Sequence, residues 1–128
     1  MPGLIVDRYG DYLVVQCLTL GINVRRQSIV TALQNLLPIA GIYERSDVEV
    51  RGHEGLSPSV GALHGQAPPP EVEVIEHAHR FSVDLAGGQK TGFYLDQREN
   101  RRAFARYAAG RETLDAFAYS GGFSVYAA

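Results

Sequence analysis

The sequence predicts an α+β fold that leads into the opening of a second, α/β domain. Two segments with hairpin patterns lie on either side of an amphipathic helix, and the last third of the chain has the order helix, strand, glycine turn, helix. Two hairpins flanking a helix favour a sheet with one face covered by that helix, rather than a parallel α/β unit. A strand, glycine turn and helix in succession are typical of the start of an open α/β domain.

The N-terminal elements follow from short apolar runs. Residues 4–6 and 12–15 are β-branched and aromatic, and between them Gly10 can adopt the positive φ of a hairpin turn. A helix is predicted from Asn23, as N-cap, to Pro38. Residues 39–45 are predicted as a third strand. The apolar stripe of the helix is Ile29, Val30, Leu33, Leu36 and Leu37.

The middle of the chain changes character twice. Residues 52–70 contain four glycines and four prolines, which predicts a flexible loop. After it, apolar and polar residues alternate over 72–74 and again over 80–85, the period of half-buried strands. A second hairpin that turns around residues 76–79 fits this pattern.

The C-terminal elements are read from residue 96 onward. Residues 97–109 suit a helix, with Gly110 as its stop and Ala103, Phe104, Tyr107 and Ala108 on its apolar face. Residues 113–117 are predicted as a strand, 118–122 as a tight turn and 123–128 as the start of another helix.

Composition excludes several classes of protein. With 128 residues and 45% hydrophobic content the chain is the size of one compact domain, so disorder is disfavoured. A net charge of −2 argues against a protein that coats nucleic acid through charge alone. The N-terminus lacks the pattern of a signal peptide, which favours a cytoplasmic protein. The single cysteine, Cys17, lies in an apolar run and is predicted to be a core residue, with a nucleophile as the weaker alternative.

Two segments could carry chemistry. Around 115–123 the adjacent pair Gly121 and Gly122 lets a ligand approach the backbone, although such a pair can also serve only to turn the chain. It lacks the spacing of a dinucleotide-binding loop. Residues 87–98 place an amine, a hydroxyl, an amide, a carboxylate, a guanidinium and aromatic rings close together, which suits a pocket for a ligand with a purine, a ribose and an amino-acid tail. The phosphate-loop pattern fails because Asp84 stands where its first glycine is required.

Three blocks of sequence carry a resemblance to a known family. They are MPGLIVDRYGD at 1–11, GQKTGFYLDQR at 88–98 and LDAFAYSGGFS at 114–124. Together they resemble the S-adenosylmethionine (SAM)-dependent methyltransferases that form 5-methylcytosine in large-subunit ribosomal RNA, and the resemblance covers essentially the whole chain. It implies a cytoplasmic transferase with RNA as its partner and SAM as its cofactor.

The resemblance also implies a division of the chain and a set of cofactor-binding residues. Residues 1–86 look like the family's central, RNA-side α+β domain, and 87–128 look like the N-terminal part of its class I methyltransferase domain. No catalytic residue and no metal ligand is assigned. The implied cofactor-binding residues are Lys90, Thr91, Gly92, Phe93, Asp96, Gln97, Arg98, Phe117, Tyr119, Ser120 and Gly121.

Other parts of the family pattern are expected beyond Ala128. They include the acidic residue that holds the ribose, an Asp-Pro-Pro segment and the cysteine that adds to the pyrimidine ring; the family's RNA-binding PUA domain is expected before Met1. We therefore expect a fragment that is inactive by itself and binds SAM weakly or not at all. Exposed apolar surface near 114–117 predicts a homo-oligomer, formed by exchange of this segment. The competing hypotheses are a non-catalytic module that binds RNA or a partner and, more weakly, a short enzyme with another substrate.

Charged and histidine residues elsewhere have plainer interpretations. His77 and His79 are two apart, as a metal pair would be, but solvated histidines at a strand end fit better without a third ligand. His53 and His64 are interpreted in the same way. The arginines of the predicted C-terminal helix fit an RNA phosphate contact and an ordinary solvated face equally well. They are Arg98, Arg101, Arg102 and Arg106.

Overall fold

The computed structural model describes all residues, 1–128, as a mixed α+β fold. Six strands and four α-helices follow one another along the chain, with two short 3-10 helices at Glu49–Glu54 and Leu95–Gln97. The strands are β1 Leu4–Tyr9, β2 Tyr12–Cys17, β3 Gly41–Ser46, β4 Ser59–Gly65, β5 Val72–Glu76 and β6 His79–Val83. The helices are α1 Leu20–Val24, α2 Arg26–Leu36, α3 Arg98–Ala108 and α4 Gly122–Ala127.

The first hairpin and the helix after it form where the apolar pattern predicts them. β1 and β2 pair antiparallel around Gly10, whose φ of +58° a side chain would disfavour. Asn23, however, lies inside α1 and is not an N-cap, because a short helix precedes α2. α2 ends at Leu36, two residues before Pro38, whose ring excludes the preceding residue from helical geometry.

The sheet differs from the prediction in two ways. There are two sheets, a four-stranded one in the order β1-β2-β3-β4 and a separate hairpin of β5 and β6. In the larger sheet β2 and β3 run parallel, with α1 and α2 as the crossover that a parallel connection requires, so a parallel unit is present after all. The segment predicted as a loop, 52–70, contains β4, which pairs with β3 along six residues.

Two cores form on opposite faces of β2. Leu13, Val15 and Cys17 pack with Val30 of α2 on one face. Val14, on the other face, packs against the β5–β6 hairpin, Phe93 and Tyr126. The alternating direction of side chains on a strand makes this two-sided burial possible. The predicted helix-covered face is therefore present, but the second hairpin covers the opposite face and does not join the sheet as predicted.

The C-terminal elements match those predicted from the sequence only in part. α3, the stop at Gly110 and α4 are confirmed, but residues 111–121 form no strand. The buried side of α3 consists of Arg101 and Ala108, while Tyr107, predicted on the apolar face, is exposed. No helix has both the length and the apolar character needed to cross a membrane.

Candidate functional site

A cleft of about 470 Å³ opens between the segment before α3 and the turn before α4. Its volume is in the range of pockets that hold small molecules, about 300–1,000 Å³. One wall comes from residues 89–97, the opposite wall from 115–123, and the floor from α3. The lining residues are Gln89, Lys90, Tyr94, Gln97, Arg101, Asp115, Ala116, Phe117, Ala118, Tyr119, Ser120, Gly122 and Phe123.

Lys90 brings a positive charge to the first wall. Its Nζ lies 3.3 Å from both carboxylate oxygens of Asp96 and 4.4 Å from the centre of the Tyr94 ring. The hydrogen bond from Lys90 holds the pKa of Asp96 below its usual value, even though this carboxylate is exposed. The ammonium therefore stays near the cleft in a defined position.

The second wall is a turn with an unusual backbone. Phe117, Tyr119 and Gly121 have φ values of +62°, +51° and +67°, so two residues with bulky side chains adopt the left-handed region. Such conformations cost of order 1–3 kcal/mol each and cluster at functional sites. Asp115, at the start of the turn, accepts hydrogen bonds from the N–H and the hydroxyl of Ser124 in α4.

The Tyr119 hydroxyl joins the two walls. It accepts a hydrogen bond from the Gln89 N–H at 2.9 Å and donates to the Gly92 carbonyl oxygen at 3.2 Å. A Cβ on Gly88 would lie 2.8 Å from this hydroxyl and 2.3 Å from the Asp84 carbonyl oxygen, so only glycine fits there. The distance between the two walls of the cleft thus depends on the hydrogen bonds between the Tyr119 hydroxyl and the backbone of Gln89 and Gly92.

A buried ion pair forms the floor. The Arg101 guanidinium donates to both carboxylate oxygens of Glu76 at 2.7 Å and to the Tyr94 carbonyl oxygen at 3.0 Å. Burial raises the pKa of Glu76, but the hydrogen bonds and charge of Arg101 outweigh it and leave the pKa below its usual value. Burial and the adjacent Glu76 carboxylate raise the pKa of Tyr126, whose hydroxyl donates to Glu76, to about 12.

The structure brings together five of the eleven predicted cofactor-binding residues at the cleft: Lys90, Gln97, Phe117, Tyr119 and Ser120. Gly121 lies in the same turn without lining the cleft, and Asp96 touches it only through Lys90. Arg98 is exposed at the start of α3 and lines a separate groove beside Arg8.

The remaining three predicted residues, Thr91, Gly92 and Phe93, are buried behind the first wall. Phe93 belongs to the core beside Val14, and Thr91 contacts β1 through hydrogen bonds. Gly92 packs closely on Leu85 and Val83, where a Cβ would approach within 2.8 and 3.0 Å.

Eight lining residues were not assigned to the site from the sequence: Gln89, Tyr94, Arg101, Asp115, Ala116, Ala118, Gly122 and Phe123. Gln89, Tyr94 and Asp115 lie inside the two segments singled out as chemically dense, so the signal for them was present. Arg101 was grouped with solvated or phosphate-binding arginines, which is wrong because it is buried and paired with Glu76. Arg98 and Arg102 are exposed, and each lies near Glu99.

The histidines and the cysteine lie outside the cleft. His77 shares a hydrogen bond of 2.6 Å with the Tyr126 hydroxyl, and the His79 ring lies 4.2 Å from the Tyr126 ring. No group of three His, Cys, Asp or Glu side chains is placed to hold a metal ion. Cys17 is a core residue, as predicted, and burial raises the pKa of its thiol.

Comparison with known proteins identifies one family. Residues 51–128 match the family of S-adenosylmethionine-dependent methyltransferases. The ribosomal RNA large subunit methyltransferase I of Tolumonas auensis is 51% identical to the chain, with 99% of the chain and 32% of the relative covered. The chain therefore spans about a third of the length of the relatives it matches.

Solved structures give the same result for the fold. A protein of Streptococcus mutans described as a SAM-dependent methyltransferase is 30% identical, with a TM-score of 0.80 over 98% of this chain and 31% of that one. SMU.776, described as a methyltransferase and solved in complex with SAH (S-adenosylhomocysteine), is also 30% identical, with a TM-score of 0.81 and the same coverage of both chains.

Proposed function

Because the chain belongs to the family of S-adenosylmethionine-dependent methyltransferases, we propose that its cleft forms part of the SAM site of an RNA methyltransferase. SAM supplies an activated methyl group on a sulfonium centre. The name of the Tolumonas relative supports large-subunit ribosomal RNA as the acceptor, and such an acceptor fits the cytoplasmic location that the sequence predicts. Membership of the family disfavours the non-catalytic module as an alternative.

The chemistry of the lining carries this proposal. A SAM-like ligand has a purine, a ribose with two hydroxyls, and a tail with an ammonium and a carboxylate. The cleft offers an ammonium on Lys90, a carboxylate on Asp115 and amides on Gln89 and Gln97. It also offers the rings of Tyr94, Phe117 and Tyr119 as stacking surfaces. The donor set thus matches each part of the ligand.

This arrangement suggests roles for Lys90, for the turn at 117–121 and for Arg101. Lys90 would pair with the ligand carboxylate, since its charge is held at the cleft by Asp96 and Tyr94. The turn at 117–121 would approach the ligand through its backbone, which explains why left-handed residues persist there. Arg101 would act from below by holding the Tyr94 carbonyl and the end of β5 in place.

We also propose that residues 1–86 form the RNA-side domain, that 87–128 begin the catalytic domain, and that this chain transfers no methyl group by itself. Methylation of a pyrimidine at carbon 5, which the sequence resemblance implies, uses a cysteine nucleophile. Cys17 is fully buried in the core between β2 and α2, and burial raises the pKa of its thiol. It is therefore unable to reach a nucleobase.

Self-association is part of the same proposal. Leu114 and Phe117 are 92% and 103% exposed, in a segment that forms no regular structure before α4. Large apolar side chains of this kind favour burial against a second copy of the chain.

Titration of the ¹⁵N-labelled protein with SAH tests the cofactor proposal, because NMR detects weak as well as tight binding. We expect amide shifts at Gln89, Lys90, Tyr119 and Ser120 and none in α1 or β4. Lys90→Met should weaken the affinity about tenfold, since a hydrogen bond between charged groups is lost. Arg80→Met on β6 removes the same charge from an exposed pair with Glu73 and should leave the affinity unchanged.

An absence of shifts at millimolar SAH would contradict the proposal, as would shifts confined to residues outside 87–123. Methyl transfer to large-subunit RNA by the 128-residue chain alone, measured with labelled SAM, would contradict the proposed inactivity.

A further inference from the structure

A buried chain of hydrogen bonds connects the first hairpin to the wall of the cleft. The Thr91 hydroxyl donates to the Asp7 carboxylate at 2.6 Å. The Thr91 proton is used in that bond, so the Tyr9 hydroxyl, 2.8 Å away, donates to Thr91 Oγ1. Tyr9 in turn accepts from the Phe93 N–H at 3.2 Å. Each donor polarises the next, and the sequence of bonds ends on a negative charge.

A second contact holds the same loop at its other end. Arg45, buried on β3, donates from its guanidinium to the carbonyl oxygens of Leu85 and Gly88, both at 3.0 Å. Asp47 fixes the orientation of the guanidinium through bonds of 3.1 and 3.3 Å. The loop of residues 85–93 is therefore attached to the four-stranded sheet on both sides of Gln89 and Lys90.

These attachments bear directly on Lys90. Its φ is +53°, a conformation that disfavours residues with a Cβ. Such a conformation persists only where surrounding contacts determine it. Gly88 is held by Arg45 and Thr91 by Tyr9 and Asp7, so contacts lie on both sides of the strained residue. Lys90 and Gln89 then project into the cleft in a fixed direction.

We propose that Tyr9 is a positioning residue for the cleft: through Thr91 it holds Lys90 and Gln89 where the ligand meets them. The N-terminal sheet thereby takes part in ligand binding without contacting the ligand. This inference rests on the proposed SAM site, but the attachment of the loop can be measured without any ligand.

The test is Tyr9→Phe, which removes one oxygen and keeps the ring in the core. We expect the affinity for SAH to fall about five- to tenfold, as for the loss of a buried hydrogen bond. Hydrogen exchange of the Phe93 amide, without ligand, should accelerate by a similar factor, because its acceptor is gone. Thr91→Val removes the acceptor of the Tyr9 hydroxyl proton and should weaken SAH binding by a similar factor, without adding to the effect of Tyr9→Phe. The Tyr9 oxygen still accepts from the Phe93 N–H in this variant, so exchange at Phe93 should accelerate less.

Two controls separate positioning from general stability. Tyr12→Phe makes the same chemical change at the residue paired with Tyr9 across the hairpin, outside this chain of bonds, and should change neither readout. Val30→Ala makes a cavity in the core between β2 and α2 and should lower the unfolding temperature without changing SAH affinity.

The outcomes are distinguishable. If the wild-type protein binds SAH and Tyr9→Phe binds equally well, the positioning role is wrong and the proposed function stands. If the wild-type protein shows no SAH binding, the proposed function fails, and faster exchange at Phe93 in Tyr9→Phe still measures the attachment of the loop. If Tyr9→Phe and Val30→Ala weakened SAH binding equally, the loss of affinity would follow from lower stability alone, and the inference would be overturned.

Discussion

The ion pair of Glu76 and Arg101 is the most deeply buried charged contact of the molecule, with only 6% and 2% of the two side chains exposed. Burying two charges is costly, and two parallel hydrogen bonds at 2.7 Å offset that cost only while both partners are present. Arg101 also lies 4.5 Å from the centre of the Phe93 ring, so it contacts the core and the cleft at once. Loss of either partner would leave the other charge buried and unpaired.

We therefore predict that Glu76→Gln destabilises the protein by about 3–5 kcal/mol, the usual cost of removing one partner from a buried pair. Glu73→Gln is the matched control on the same strand, because Glu73 and Arg80 form an exposed pair worth less than about 1 kcal/mol. Urea unfolding at neutral pH measures both. A loss for Glu76→Gln no larger than that for Glu73→Gln would show that the pair contributes little.

The pH dependence gives a second check on the same residue. The pKa of Glu76 is lowered in the folded state, so its contribution to stability is present above the unfolded pKa, about 4.3. This contribution is lost as the pH falls through the lowered pKa of Glu76 in the folded state. The difference in unfolding free energy between wild type and Glu76→Gln should be constant at neutral pH and shrink in acid. A difference that grows in acid would contradict the assigned direction of the pKa shift.

Residue roles could be predicted where they depend on local pattern. Cys17 was predicted in the core because it lies in an apolar run, and the structure buries it. Arg101 was not, because its partner lies 25 positions earlier on a different element. A helix rich in arginines looks solvated from its sequence, and only the contact with Glu76 at the end of β5 distinguishes Arg101 from the others. The hydrogen bonds of Thr91 with Tyr9 and Asp7 of β1, 82 and 84 positions away, were hidden for the same reason.

At the scale of elements, the periodic patterns predicted helices and strands correctly where a neighbouring element packs or pairs with them. The two hairpins and the helices α2, α3 and α4 formed as expected. The predicted strand at 113–117 did not, because no other strand lies beside it to accept its hydrogen bonds, and its apolar residues are exposed. β4 was missed because glycines interrupt it; it forms because β3 offers an edge to pair with.

The end of α3 allows a prediction about backbone conformation alone. Gly110 has φ +68° just after the helix, and a Cβ there would meet no atom within 4 Å. Gly110→Ala should therefore cost about 1 kcal/mol through conformation only. Gly52→Ala, equally free of contacts but outside the left-handed region, should be neutral or stabilise by about 0.5 kcal/mol. Chemical denaturation compares the two, and equal effects would contradict the assigned role of Gly110.

At the scale of the whole molecule, the two cores explain how the N-terminal sheet and the cleft are coupled. β2 contributes Leu13, Val15 and Cys17 to one core and Val14 to the other, so the two cores share this strand. The second core includes Phe93 and Tyr126, which lie directly behind the cleft. The sequence predicted each hairpin separately; it did not indicate that the second would cover the first sheet, since no local pattern encodes that contact.

The apolar side chains of Leu114 and Phe117, before α4, are not part of either core and are exposed to solvent. We predict concentration-dependent association, measured by sedimentation velocity. Leu114→Glu should shift the protein toward monomer, since a charge would have to be buried in the contact. Val24→Glu, at an exposed apolar position on α1, is the matched control and should leave the association unchanged. A strictly monomeric wild type at high concentration would show that the exposed leucine and phenylalanine remain in solvent, and association that persists in Leu114→Glu would place the contact elsewhere on the molecule.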